Sequence, residues 1–220
     1  MARRTPLVAP RIAPIVLPHL VPGDTDALRA GAAVDGVRYE GIDLDGRDLA
    51  DLALSESALS DVSAHDVDLR TARIVDTTID RLNAPVLRAA RSHWRDVEIA
   101  RSRLGSVEAH GAGWQSVHFV GCKIGYLNLR GADLRDVLFT DCTLDELDLG
   151  GARATRVAFA GTRVAALDLT DATLSQVDLR GAELQQLTGI EGLRGATLNT
   201  FQVAQLADVF AERLGIRVAD

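Results

Sequence analysis

Hydrophobic residues recur along this chain at a spacing that belongs to neither common secondary structure. From Leu44, every fifth residue as far as Leu184 is Leu, Ile, Val, Phe, Trp or Ala, with no slip of register over 29 positions. The positions two residues earlier, from Ile42 to Leu187, are Ala, Val, Leu, Ile, Cys, Ser or Thr, with Arg47 the one exception. Such positions therefore alternate at intervals of two and three, an average of 2.5. A helix would repeat every 3.6 residues and a strand every 2.0. A spacing of two keeps both side chains on one face of a short extended segment. A spacing of three requires a corner that turns the next segment's side chains inward again, so the pattern predicts a corner every five residues.

Four corners close a square, which places residues twenty apart above one another at the strand spacing of about 4.8 Å. The stretches VHFVGC, VLFTDC and VAFAGT, starting at Val117, Val137 and Val157, repeat at that interval. They predict a column of Val97, Val117, Val137, Val157 and Val177 beside a column of Phe119, Phe139 and Phe159. Leu127, Leu147, Leu167 and Leu187 form a third column, across from the valines, and Ala112, Ala132, Ala152 and Ala172 a fourth. Trp94 and Trp114 lie one coil apart, and the inward residue on the preceding side is alanine in both cases, Ala89 and Ala109. A close-packed lumen needs that compensation in volume.

The units GADLR (131–135), LDLTDATL (167–174) and VDLRGAEL (177–184) resemble the A(D/N)LXX units of pentapeptide-repeat proteins. The resemblance covers residues 32–188 and implies an all-β solenoid, a right-handed quadrilateral β-helix with four pentapeptides per coil. The handedness comes from the resemblance alone. At strand spacing this is a rod of about eight coils, on the order of 38 Å long.

A solenoid exposes unpaired backbone at each end and needs caps. Residues 1–31 hold Pro6, Pro10, Pro14, Pro18 and Pro22, which exclude a continuous helix and favour an extended strap that buries Ile12, Ile15, Leu17 and Leu20. That strap is expected to cover the first coil, to which Arg47 belongs, with a short helical turn at DTDALRAG. After Leu187 the register is lost through TGIEGLRG, and a last unit, GATL, follows out of phase. Residues 189–220 thus comprise a partial coil and an amphipathic capping helix. Its N-cap is Asn199 with Gln202 at the third helical position, Val203, Leu206, Phe210 and Leu214 share one face, and Gly215 followed by Ile216 marks its end.

Composition narrows the chemistry. Aromatic residues make up 4% of the chain, too few for a nucleic-acid stacking surface, and the net charge of −7 opposes direct binding to phosphate backbones. Two cysteines, Cys122 and Cys142, are too few for a secreted disulfide framework. The proline-interrupted N-terminus is not a signal peptide and no stretch is long enough to span a membrane, so a reduced cytoplasmic setting is expected. The cysteines stack in one column with Thr162 and Ala182 and read as small buried side chains. Histidines within the coils fall at outward positions and no two share a column, so no metal site, cofactor site or catalytic residue is expected. Gly111, Gly121, Gly131, Gly151, Gly161 and Gly181 share a corner phase and read as turn residues.

What remains is surface. One outward column reads Asp48, Asp68, Arg88, Glu108, Asn128, Asp148, Asp168, five of seven acidic, while the corresponding column one side earlier is mixed. Two readings stay open for the acidic residues. They can serve the repeat itself by accepting hydrogen bonds from corner amides, or they can present an anionic face to a basic groove. The family resemblance gives the second reading a concrete form, because some pentapeptide-repeat proteins bind DNA gyrase as DNA mimics, protect against quinolones and dimerise through C-terminal elements. The expected function is therefore non-enzymatic: a protein-binding rod, with gyrase as candidate partner and a homodimer through the C-terminal helix. The alternative is a structural scaffold or interaction module with another partner.

Overall fold

The computed structural model describes residues 6–17 and 19–218. Pro18 and residues 1–5 and 219–220 of the expected terminal segments lie outside the described residues. The chain winds as a parallel β-solenoid of about nine turns, the incomplete first and last included. Strand pairs that fall between Ala33 and Thr188 join residues twenty apart, as in Val97↔Val117↔Val137↔Val157. The expected phenylalanine column is present: Phe119, Phe139 and Phe159 stack with ring centroids 5.0 and 5.1 Å apart and planes within 10° and 6° of parallel. Trp94 and Trp114 stack in the same way at 4.9 Å, and Ala89 and Ala109 are fully buried on the adjoining side.

Corners explain how so short a repeat folds. Three of the four corners carry a residue with positive φ on nearly every coil, such as Gly111 (66°) and Gly131 (64°) at one, and Asp96 (53°) and Asp136 (57°) at another. Glycine enters this region without steric cost, and aspartate tolerates it better than most residues. The fourth corner is left-handed only in the first coils, at Gly46 (68°) and Asp66 (60°), and not at Val86, Ser106, Tyr126, Glu146 or Ala166. Gly181 departs from the turn role expected of it. Its φ is not positive, and a Cβ there would meet Phe159 O at 2.1 Å, so close approach between coils selects glycine.

The small polar residues of the inward file do more than fill space. Cys122 Sγ and Cys142 Sγ lie within 3.5 Å of the carbonyls of Val120 and Thr140, and Thr162 Oγ1 donates to Ala160 O at 3.1 Å. In return Cys142 N donates to Thr162 Oγ1 at 3.2 Å, and Cys122 N approaches Cys142 Sγ at 3.4 Å. These side chains thus satisfy corner backbone groups that the ladder misses. Both thiols are buried and unlinked, and the adjacent Cys122 together with burial pushes the Cys142 thiol up.

The ends are closed by different devices. At the first coil Leu28 plugs the lumen, a 3-10 turn at Thr25–Ala27 crosses above it, and Arg47 donates to Thr25 O at 3.2 Å. At the other end register slips by one residue, since Ala196 pairs with Val177 and Thr197 with Asp178. The C-terminal helix is not continuous. It breaks at Leu206 into α1 (Thr200–Gln205) and α2 (Ala207–Arg213). The expected capping box of Asn199 and Gln202 is present, and Gly215 (φ 69°) and Ile216 close α2 through bonds to Glu212 O and Ala211 O. Of the four residues assigned to one face, Leu206 and Phe210 are half-buried, whereas Val203 and Leu214 are 47% and 74% exposed. The seal is instead Gln202, 4% exposed, whose Nε2 donates to Leu179 O and Ala182 O.

The N-terminal strap takes a longer path than expected. Residues 19–31 cover the first coil, but residues 6–17 run back along one corner of the rod to its far end. Val8 N donates to Gln176 Oε1 at 2.8 Å and Arg11 N to Asp136 Oδ1 at 2.9 Å. Three strap residues thus cross two coils, or about 10 Å at strand spacing, close to the polyproline rise of about 3.1 Å per residue. Ile12, Ile15, Leu17 and Leu20 are half-buried, as expected of the residues holding the strap.

Candidate interaction surface

The acidic column occupies one flank of the rod, with Asp48↔Asp68, Asn128↔Glu108, Asn128↔Asp148 and Asp148↔Asp168 in parallel register. Its aspartates share a local device. Asp48, Asp68, Asp148 and Asp168 each accept the backbone amide two residues on, from Ala50, Arg70, Gly150 and Thr170, at 2.7–3.0 Å. Asn128 does the same for Arg130 at 3.1 Å. An oxygen at this position turns the corner amide toward itself, which accounts for Asp and Asn in the repeat without any partner.

Two arginines on the same flank then take up much of the charge. Arg70 grips Asp68 at 2.6 and 2.8 Å and holds its carboxyl below the usual carboxylate range. Arg130 lies 3.1 Å from Asp148 and 3.7 Å from Asp168, straddling two coils. Arg88, the basic interruption, pairs with Asp66 at 2.5 Å, and Glu108 accepts Asn128 Nδ2 at 2.7 Å. Asp68 and Asp148 are buried, and of this column only Asp48 and Glu108 keep a carboxylate without a cation within 4 Å among the described residues. Sequence reasoning placed the carboxylates and missed their partners. The signal was the spacing in Asp68-Leu-Arg70 and Asn128-Leu-Arg130, where a buried Leu puts its two neighbours on one side.

Unpaired acid is concentrated elsewhere. Glu40, Asp43, Asp45, Asp48, Asp51 and Glu56 ring the first coils, and none forms an ion pair among the described residues. Arg47, the cation among them, reaches Asp26 at 3.6 Å. The C-terminal helices expose Phe201, Val203, Leu214 and Ile216, the apolar surface nearest the expected dimer contact. Among the described residues, no three His, Cys, Asp or Glu side chains converge as metal ligands, and no helix is long and apolar enough to cross a membrane. Packed columns of Leu, Val and Phe fill the lumen, so carboxylates sit on flanks and corners rather than in a cleft that would tune them.

Residues 112–188 match the family model described as a pentapeptide repeat region. No curated protein sequence matches the chain. Among solved structures, a trypsin-treated QnrB1, titled a plasmid-mediated fluoroquinolone resistance protein, is 14% identical over 86% of this chain and 100% of its own, with a TM-score of 0.38. HetL from the cyanobacterium Nostoc sp., titled as involved in heterocyst differentiation regulation, is 17% identical over 76% of this chain and 89% of its own, also at 0.38. Full-length QnrB1 is 14% identical over 84% of this chain and 100% of its own, at 0.29. The sequence match assigns residues 112–188 to the pentapeptide-repeat family, and the coils that precede them turn every five residues and close every twenty in the same way.

Proposed function

We propose that the protein is a non-enzymatic rod that binds another protein through its flank, with a basic partner seated on the acidic first coils. One observation carries the reading: among the described residues none of the six carboxylates from Glu40 to Glu56 forms an ion pair, a longer unpaired run than Asp133, Asp141, Asp145 and Glu146, whereas Asp61, Asp66, Asp80, Asp136, Asp148 and Asp178 are each matched by an arginine. Uncompensated charge at one end produces a field that steers and orients a basic surface, an effect strongest at low ionic strength. The buried thiols of Cys122 and Cys142, unlinked, fit a reducing cytoplasmic compartment.

The most concrete version is a DNA mimic that engages DNA gyrase. The net charge of −7 and the column Asp48, Asp68, Glu108, Asp148 and Asp168 support it. Arg70 and Arg130 weigh against the column as a continuous ladder, which shifts the anionic contact toward the first coils. A homodimer through Val203, Leu214 and neighbouring exposed residues would double that contact. The test is gyrase supercoiling and quinolone-induced cleavage with purified protein. Inhibition by the wild type, lost in an Asp43→Asn, Asp48→Asn, Asp51→Asn, Glu56→Gln variant that keeps its β-helical circular dichroism, is the expected result. Unchanged supercoiling would remove gyrase as partner and leave the scaffold reading.

A further inference from the structure

The third flank of the rod carries a feature of opposite sign, which neither the acidic coils nor the repeat explains. Two outward files run along it in strict register: Arg73, His93, Gly113, Asp133, Arg153 on the flank, and Val75, Arg95, Gln115, Arg135, Thr155 at its corner. At Gly113 the first file loses its side chain. A Cβ there would already stand 3.0 Å from the His93 ring, so glycine keeps a notch open. The notch widens into a groove lined by Arg73, His93, Arg95, Gln115 and Arg135, with Asp133 its one carboxylate.

Charge in this groove is unbalanced. Among the described residues Arg73 and Arg135 form no ion pair, and Arg95 has only a 3.6 Å contact to the adjacent Asp96. Most other arginines of the coils are matched to aspartates, as in Arg70–Asp68, Arg81–Asp61 and Arg156–Asp136. Arg95 and Arg135 stand two coils apart in one file, about 10 Å at strand spacing, with the neutral Gln115 between them. Two guanidinium arms at that separation are long enough to meet one oxyanion above the intervening residue, and the guanidinium fork suits a tetrahedral or planar oxyanion. Trp94 and Trp114 lie behind the floor of the groove, their indoles stacked inward in the lumen and 4% and 1% exposed.

We propose that this groove is an oxyanion-binding site, in which Arg95 and Arg135 clamp a phosphate or carboxylate group over Gln115 and Gly113, with Arg73 and His93 at its margin. The site is separate from the acidic first coils and does not depend on their partner. Trp94 and Trp114 are the only two tryptophans of the chain and lie buried directly behind this wall, so their emission reports on the wall's packing while the amides of Gly113 and Gln115 report on the groove itself. The full chain is titrated with inorganic phosphate, with acetate, and with chloride at matched ionic strength, following tryptophan fluorescence and the amide resonances of Gly113 and Gln115. Saturable changes with phosphate or acetate but not chloride are expected. A preference for phosphate assigns a phosphorylated ligand, and a preference for acetate a carboxylate ligand.

Affinity should fall on the order of tenfold or more in Arg95→Gln/Arg135→Gln, as expected for loss of charge-assisted bonds. It should hold in Arg103→Gln/Arg163→Gln, which removes the same charge from another flank. Both are outward substitutions, and circular dichroism checks that each variant keeps the fold. No saturable response, or an equal loss in both double variants, would overturn the proposal.

Discussion

One side chain, Gln202, closes the open edge of the last coil: its Nε2 donates to the carbonyl oxygens of Leu179 at 2.6 Å and Ala182 at 2.8 Å, while its Oε1 accepts Asn199 N at 2.9 Å. A β-helix end is a sheet edge, and an edge left open invites pairing with another chain. Gln202→Leu keeps the volume but leaves Ala182 O without a donor and Leu179 O with only the turn bond from Ala182 N at 3.0 Å, at about 1–3 kcal/mol for the unsatisfied group. Chemical denaturation should therefore show a loss of about 1–3 kcal/mol. Hydrogen exchange should quicken first in residues 177–198. An unchanged midpoint would mean that apolar packing by Leu206 and Phe210 seals the end.

The aromatic file is stacked and buried along its whole length. Phe139 stacks between Phe119 and Phe159, and all three rings are buried. Phe139→Ala should cost about 3–5 kcal/mol, because neighbouring coils are hydrogen-bonded in register and cannot collapse into the void. Phe139→Leu should cost less than about 1.5 kcal/mol. Urea melts of both variants check the order, and near-ultraviolet circular dichroism should weaken in both.

The coils were legible because a square lumen imposes the same five-residue code on every turn, so each coil confirms its neighbours. Phe119, Phe139 and Phe159 needed no more than their spacing. The strap obeyed no such redundancy. Its path is fixed by the main-chain amides of Val8 and Arg11, and a backbone donor leaves no mark in a side-chain pattern. Side-chain burial did leave one: Leu7, Pro10, Ile12, Ile15 and Leu17 are half-buried at intervals of three and two, the rod's own rhythm. The acidic column was legible as charge and illegible as free charge, because Arg130 reaches Asp148 across a coil while Gly150 leaves the room its guanidinium occupies. The face assigned to the C-terminal helix failed for a simpler reason. It assumed an unbroken helix, and the break at Leu206 turns Leu214 away from the coil.

If the column is corner chemistry, its members should separate by burial rather than act as a set. Asp148→Ala removes the acceptor for Gly150 N and the partner of Arg130, and should cost about 1–2 kcal/mol. Asp148→Asn keeps the amide acceptor and loses only an ion pair with a half-exposed arginine, for less than about 1 kcal/mol. Asp48→Asn, exposed and unpaired, should leave stability unchanged. Thermal melts of the three variants decide the matter, and equal losses from Asp48→Asn and Asp148→Asn would contradict the assignment.

Asp136 ties the strap to the rod and makes its attachment sensitive to acid. Burial pulls this carboxyl up, but the Arg156 hydrogen bonds, the Arg11 amide and both positive charges outweigh it and hold it below the usual carboxylate range. A carboxyl depressed in the folded state contributes stability that is complete above its unfolded value, near 3.9, and is lost as pH falls through the lower folded value. The strap should thus stay seated from neutral pH to about 4 and detach below that. Hydrogen-exchange mass spectrometry, corrected for intrinsic rates, should show protection at Val8 and Arg11 vanishing there while the coils stay protected. Asp136→Ala should remove the protection at every pH. Protection that survives in Asp136→Ala would show that the half-buried Leu7, Ile12 and Ile15 hold the strap without the carboxylate.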